Sequence, residues 1–218
     1  SVQSGFFAVA CRVIQEQLDA IPNVDGRTRV AFLAFDQSLH FFKISSSPED
    51  KAKILVVADA ADPFLPASTD LLVNLAECRS QIDALLEQLP SYYASPSKSS
   101  PSFGPMLNAA HLLIKPFGGK IVAFLSNLPT AFNGALKARD DQSLLGTSKE
   151  SGLLQPGNQF YKLFATDIIK DQVCVDLFLA PPKSVGYVDV ATLSGLSKYT
   201  GGHVHYYPGF GGSPTDAE

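Results

Sequence analysis

No two cysteines in this sequence form a C-x-x-C pair: Cys11, Cys78 and Cys174 stand far apart, each in an apolar neighbourhood. That spacing excludes a zinc ribbon, a dithiol redox motif and a disulfide framework, and it fits a reducing compartment with the thiols as small buried hydrophobes. No apolar run approaches the roughly 18 to 20 residues needed to span a bilayer, and no charged-then-apolar leader opens the chain, so a cytosolic protein is expected. Excess positive charge is missing too. Seventeen Lys and Arg stand against 21 Asp and Glu, and the basic residues are dispersed, which excludes the electrostatic footprint of a nucleic-acid binder. The chain has no G-x-S-x-G elbow for a nucleophilic serine. Its G-G-K at 118–120 precedes a strand, with no Ser or Thr after the lysine, whereas a phosphate loop follows a strand and opens a helix.

What is present centres on residues 118–130, G-G-K-I-V-A-F-L-S-N-L-P-T. Six apolar or small residues at 121–126, bounded by Gly-Gly and by Asn127 and Pro129, predict a central parallel strand buried on both faces. Ligands in such sheets sit at the carboxyl ends of strands, so Ser126 and Asn127 are the first positions to inspect.

Around this strand, the stripe Phe6, Val9, Ala10, Val13, Ile14, Leu18 and Ile21 predicts an opening helix, stopped by the turn formers at 22–26. Residues 29–35 and 39–44 predict an antiparallel hairpin, and 53–58 a third short strand. Asp70 is expected to cap a long helix running through Leu71, Leu75, Cys78, Ile82, Leu85 and Leu89, with Pro90 ending it. Residues 91–102 are a Ser/Pro surface loop. A helix then starts around Gly104 and Pro105, and 132–156 is a long irregular excursion. Residues 159–170 predict a helix with Phe160, Leu163, Phe164 and Ile168 inward. A buried strand follows at 173–180, then a helix capped by Asp189 and closed at Gly201 or Gly202, then a last strand at 203–207. This order predicts an α/β fold, a doubly wound, mostly parallel sheet flanked by helices with one antiparallel edge strand. Such a sheet places a strand before its first helix, so the first strand is expected to fall upstream of Ser1. One domain at 1–210 and an exit linker at 211–218 complete the organisation.

Candidate chemistry is sparse. His203 and His205, two apart on a strand, face the same way and could form half of a metal site, but no carboxylate or cysteine lies nearby in sequence. An exposed polar edge is the stronger reading. His40 and His111 sit in apolar runs and read as structural. Asp59, Asp62, Asp70 and Glu77 are loop, cap and helix-surface types, so no acid–base pair assembles.

The strings D-L-L-V-N-L-A-E-C-R at 70–79, F-G-P-M-L-N-A-A at 103–110, F-Y-K-L-F at 160–164 and L-S-K-Y-T-G-G-H-V-H-Y-Y-P-G-F at 196–210 closely resemble the trunk domain of the COPII cargo-adaptor (Sec24) family. I-P-N-V-D-G-R-T-R-V-A-F at 21–32 and H-F-F-K-I at 40–44 fit the same family. The resemblance implies a von Willebrand A-like trunk and a non-enzymatic coat scaffold and cargo adaptor in endoplasmic reticulum to Golgi transport. It implies pairing with the coat's GTPase-activating paralogue, contact with SNAREs and cargo sorting signals, and a place on the cytosolic face of the endoplasmic reticulum membrane and on coated vesicles. The family's zinc ribbon lies outside this chain, so no cofactor is expected here. Where other von Willebrand A domains hold magnesium with an aspartate after the central strand, this chain has Asn127, a weaker ligand for a hard cation. One trunk patch in the family reads cargo through an arginine, and Arg27 or Arg29, in G-R-T-R, is the candidate, since a guanidinium fork matches a carboxylate. The alternative is a metal- or nucleotide-dependent enzyme on the same doubly wound fold.

Overall fold

The chain enters α1 (Phe6–Gln17) through Gly5, whose φ of 71° suits glycine, and a 3-10 turn, Leu18–Ala20, ends it. The computed structural model describes residues 5–47, 49–67, 70–94, 100–184 and 186–211. The run expected as one strand at 29–35 is divided between two partners. Its first part, β1 (Arg29–Val30), and its second, β2 (Leu33–Phe35), are followed by β3 (Leu39–Lys43) and β4 (Lys53–Val57). The hairpin forms as expected, with Leu33 opposite Phe41 and Phe35 opposite Leu39, and β4 lies antiparallel on the far side of β3.

Residues 70–78 depart from expectation. Asp70 caps no helix; its carboxylate pairs with Lys43 at 2.6 Å. Val73–Asn74 is a short strand, β5, antiparallel to β1, and the helix α2 begins only at Arg79. Leu71, Val73 and Leu75 are all buried, a period of two, and their four-residue overlap with the helical stripe is what disguised them. Asn74 supplies the turn: its side-chain oxygen accepts from the Ala76 and Glu77 N–H groups, and its amide donates to the Gly26 carbonyl at 2.7 Å. Pro90 does not end α2 (Arg79–Tyr92). It sits in the last turn, where a missing N–H costs a single helical bond, and Tyr93 N–H still reaches the Leu89 carbonyl at 3.1 Å. The expected Ser/Pro loop therefore starts later, and its residues 95–99 lie outside the described ones, as do 212–218 of the expected linker.

The helix α3 (Phe103–Ile114), with Pro105 in its first turn, leads into β6 (Gly119–Leu125), which runs parallel to β7 (Val173–Leu179) and in full register with it. Between them the excursion carries a 3-10 turn at Gln142–Leu144, the short helix α4 (Glu150–Leu153) and α5 (Phe160–Ile168). The buried face of α5 is Tyr161, Phe164, Ala165 and Ile168, whereas Leu163, expected inside, is exposed. The Tyr161 hydroxyl donates to the Gly134 carbonyl at 2.6 Å, which gives this buried ring a polar anchor that leucine lacks. Asp189 caps α6 (Val190–Thr200) as expected, accepting from the Thr192 N–H at 3.1 Å, and Gly201 closes it in the left-handed region. The last strand, β8 (Val204–Tyr206), lies parallel to β7. Phe210 then folds back onto Phe6, ring centroids 5.2 Å apart.

Two three-stranded sheets result, β2-β3-β4 and β6-β7-β8. Thus β7, rather than β6, is flanked on both sides, and β6 is an edge whose Val122 is 48% exposed. The expectation of a strand at 121–126 buried on both faces is not met: Ala123 and Leu125 are buried on the face under α3, whereas Lys120 and Val122 on the opposite face are exposed. The helices α3, α5 and α6 bury one face of β6-β7-β8. On the other face Phe124, Phe178 and His205 stack in a row across the three strands, at 4.9 and 4.5 Å between centroids, and Phe6 from α1 approaches Phe124 at 6.4 Å. The second sheet has α1 and α2 against one face and α3 against the other.

Backbone contacts around α3 are close enough to be tested. A Cβ placed on Gly104 would lie 1.9 Å from the Asn133 carbonyl oxygen, while Gly152 in α4 has nothing within 4 Å. Urea unfolding is expected to show Gly104→Ala destabilising by about 2 kcal/mol or more, and Gly152→Ala neutral to stabilising by about 0.5 kcal/mol.

Candidate interaction surface

The two candidate arginines sit on a fixed turn. Asn23 Oδ1 accepts from the Thr28 N–H at 3.0 Å, the Thr28 hydroxyl donates to the Pro22 carbonyl at 2.8 Å, and Gly26, at φ 65°, donates its N–H to the Asn23 carbonyl. With Asn74 holding the Gly26 carbonyl, this turn is stitched to the strand β5. Arg27 projects to solvent and pairs with Asp25 at 2.6 Å, both side chains being largely exposed. Arg29 is exposed at the start of β1, its guanidinium 5.4 Å from the centre of the Phe117 ring, which is itself well exposed. The chain thus brings Arg29 together with an aromatic ring 88 residues further on, an arrangement that offers a charge-assisted donor beside an apolar face.

The strand ends gather less. Ser126 is buried at the carboxyl end of β6, its hydroxyl without a hydrogen-bond partner among the described residues, and Asn127 is half-buried beside it. The carboxylate missing from the sequence neighbourhood of the histidines is supplied by β7: Asp176 Oδ1 accepts the His203 backbone N–H at 2.8 Å and lies 3.8 Å from its ring. Its other oxygen takes Lys120 at 2.6 Å. His205 stacks on Phe178, and the two histidine rings lie with their centroids 6.4 Å apart, but among the described residues no group of three or more His, Cys, Asp or Glu is placed to hold a metal. Burial raises the Asp176 pKa, but Lys120 and the His203 N–H outweigh it and hold the carboxyl below its ordinary value. His40 bonds Asp36 and the Tyr93 hydroxyl, and His111 bonds Asp171 at 2.8 Å, so both have structural partners as expected. Of the thiols, Cys11 is pushed up to about 11 by burial and Cys78 is also raised, whereas Cys174 is only half-buried on the open sheet face, a correction to its expected depth.

One cluster escaped sequence reasoning. Arg139, within the excursion, forks onto both oxygens of Asp189 at 2.9 Å and donates to the Gly152 and Gln155 carbonyls. Asp189 is 2% exposed and also accepts from the Thr192 hydroxyl, which in turn accepts the Gly157 N–H at 2.7 Å. A capping aspartate was legible, but its partner 50 residues earlier was not. The excursion is therefore tied to the first turn of α6 by an ion pair whose carboxylate is shielded from water.

Comparison with known proteins follows the same lines. Residues 1–218 match the Sec23/Sec24 trunk domain family. The chain is 47% identical over 212 residues to a Neurospora crassa protein transport protein sec24, covering 96% of this chain and 22% of that protein. It is 46% identical over 220 residues to a Chaetomium globosum protein transport protein SEC24, covering all of this chain and 23% of that one. The chain thus spans under a quarter of those relatives. A crystal structure of the human COPII-coat protein Sec24c superposes with a TM-score of 0.86 at 35% identity, over 96% of this chain and 28% of that one.

Two outcomes are expected from the polar clusters. Arg139→Ala leaves a buried carboxylate short of its charge partner, so chemical denaturation should show a loss of about 3 kcal/mol, with early proteolytic cleavage within 137–158. Because the folded-state pKa of Asp176 is depressed, its stabilising contribution is fully present above the ordinary carboxyl pKa of about 3.9 and is lost as pH falls through the folded value. Lys120→Met should therefore flatten the fall in stability below about pH 4, measured by urea unfolding across pH.

Proposed function

This chain belongs to the Sec23/Sec24 trunk domain family, and from that premise we propose that it is the trunk of a COPII-type coat subunit that serves as scaffold and cargo adaptor rather than as an enzyme. The observation that carries the reading is identity of 46–47% to Sec24 transport proteins over essentially the whole chain. In this role the trunk pairs with the GTPase-activating paralogue, acts on the cytosolic face of the endoplasmic reticulum membrane as part of the coat, and contributes to selecting cargo and SNAREs. No helix among the described residues is long and apolar enough to cross a membrane, so attachment through other coat components suits the chain.

Arg27 and Arg29 are the proposed contacts for acidic sorting signals. The Arg27–Asp25 pair is an exposed ion pair, worth about 1 kcal/mol or less, so an incoming carboxylate displaces Asp25 at little cost. Arg29 is steadied by Phe117, which limits the entropy lost when a ligand is gripped. The second reading, a metal- or nucleotide-dependent enzyme, draws only on the location of Ser126 and Asn127 at a strand's carboxyl end.

The test uses the full-length protein with its paralogue and with SNARE ligands. Capture of a ligand with an acidic signal should fall about tenfold or more in Arg29→Ala, and further in the double variant with Arg27→Ala, while paralogue binding stays unchanged. Unaltered capture in the double variant refutes the arginine assignment. A melting-temperature rise of several degrees with magnesium or nucleotide would favour the enzyme instead.

A further inference from the structure

Where the excursion meets α5 it leaves a groove on the outer surface, lined by Gln155, Pro156, Gln159, Lys162 and Leu163. The groove encloses about 340 Å³, room for one large apolar side chain. Its wall is anchored at 155, 157 and 158: Arg139 donates to the Gln155 carbonyl at 2.9 Å, the Gly157 N–H donates to the Thr192 hydroxyl, and the Asn158 amide donates to the Ala135 carbonyl at 3.1 Å. A wall held in this way does not have to be ordered when something binds against it.

The lining combines three kinds of group. Lys162 of α5 and Lys198 of α6 both hold their ammonium groups over one ring, that of Tyr199, at 5.5 and 6.0 Å from its centre. Among the described residues neither has a carboxylate within ion-pairing distance, whereas Lys170, just beyond α5, is paired with Asp167. In a chain with a formal net charge of −4, two cations gathered without a counter-ion form a local excess of positive charge. Leu163, kept out of the core by Tyr161, stands exposed in the groove, and Leu154 is exposed just ahead of it. The side-chain amides of Gln155 and Gln159 have no hydrogen-bond partner among the described residues, and each offers both donors and an acceptor. Two lysines attract an anionic bilayer weakly, and a bilayer surface does not enter a groove, so this lining suits a polypeptide better than a membrane.

We propose that this groove docks an extended acidic segment of a partner protein, one that carries a large apolar residue among its carboxylates. The apolar side chain enters beside Leu163, the flanking carboxylates meet Lys162 and Lys198, and the main chain of the segment pairs with the amides of Gln155 and Gln159. Because the Tyr199 ring steadies both ammonium groups, less side-chain freedom is lost when a carboxylate reaches them. The surface is distinct from that of Arg29, which sits against Phe117 ahead of β6, whereas the groove adjoins the Arg139–Asp189 pair beyond the end of β7. That ion pair thereby acquires a second consequence, since Arg139 positions the Gln155 wall.

Fluorescence anisotropy tests this on the full-length protein carrying Arg27→Ala and Arg29→Ala, in which the arginine surface no longer contributes. The probe is a fluorescein-labelled peptide of about ten residues, aspartates and glutamates around a central phenylalanine. Its affinity should fall about tenfold when Lys162→Gln and Lys198→Gln are combined, and about fivefold in Leu163→Gln. Melting temperatures should stay unchanged, because all three side chains are exposed. The proposal is overturned by any of four results: no anisotropy rise at about 200 µM protein, equal binding of a peptide with its carboxylates replaced by amides, affinity indifferent to the two lysines, or sedimentation with phosphatidylserine vesicles through those same lysines. With Arg27 and Arg29 already replaced, the groove and the arginine assignment stand or fall separately.

Discussion

Everything in this molecule is hung on the parallel pairing of β6 with β7. Parallel neighbours cannot be joined by a tight turn, so the chain between them must travel across a face of the sheet and return, and that requirement generates the excursion and α5. The same rule between β7 and β8 generates α6. Because α3 and both crossover helices land on one face, Val173, Val175, Leu177 and Leu179 are almost wholly removed from water, while Cys174, Asp176 and Phe178 on the opposite face are not. Burial of one face of one strand therefore fixes the position of three helices.

A long crossover needs restraint as well as a path. Residues 131–158 contain few apolar side chains with a core to enter, Leu136 being the buried one. Restraint comes instead from Arg139 and Asp189, and from the Tyr161 hydroxyl on the Gly134 carbonyl. A buried ion pair contributes little net stability when measured against an apolar pair, but it tolerates only one geometry, which suits a segment that must hold a single conformation.

The sequence carried the elements whose signal is local. The hairpin turn at 36–38, the strand V-C-V-D-L-F-L, the Asp189 cap and the Gly201 stop each depend on residues within a few positions of one another, and each is where the pattern placed it. Failures came where two periods coincide or where the partner is remote. Leu71 and Leu75 fit a helix and a strand equally, and the pairing of β5 with β1, with Asn74 reaching Gly26 across the fold, decides for the strand. Leu163 and Tyr161 compete for the same buried face, and the hydrogen bond to Gly134 settles it in a way periodicity cannot express. Asp176 meeting Lys120 and His203, and Asp189 meeting Arg139, are products of strand register and loop closure, which leave no trace in spacing. Of the candidate surface, the arginines themselves were legible, but Phe117 beneath Arg29 was not.

The carboxylates follow a consistent allocation. Asp36 binds the Ser38 N–H and His40, Asp171 binds His111, Asp176 is divided between Lys120 and the His203 N–H, and Asp189 carries Arg139. Asp36, Asp171 and Asp189 lie at strand or helix ends and Asp176 in the middle of β7, and each is held by an internal donor. A carboxylate that already accepts from cations and backbone amides is a poor proton acceptor, because those donors stabilise its charged form. Arg27 and Arg29 are situated differently, outside the body, with one partner that is an exposed ion and the other an exposed ring. These four carboxylates are thus engaged by internal partners, whereas Arg27, in the turn before β1, and Arg29, its first residue, carry charge turned outward.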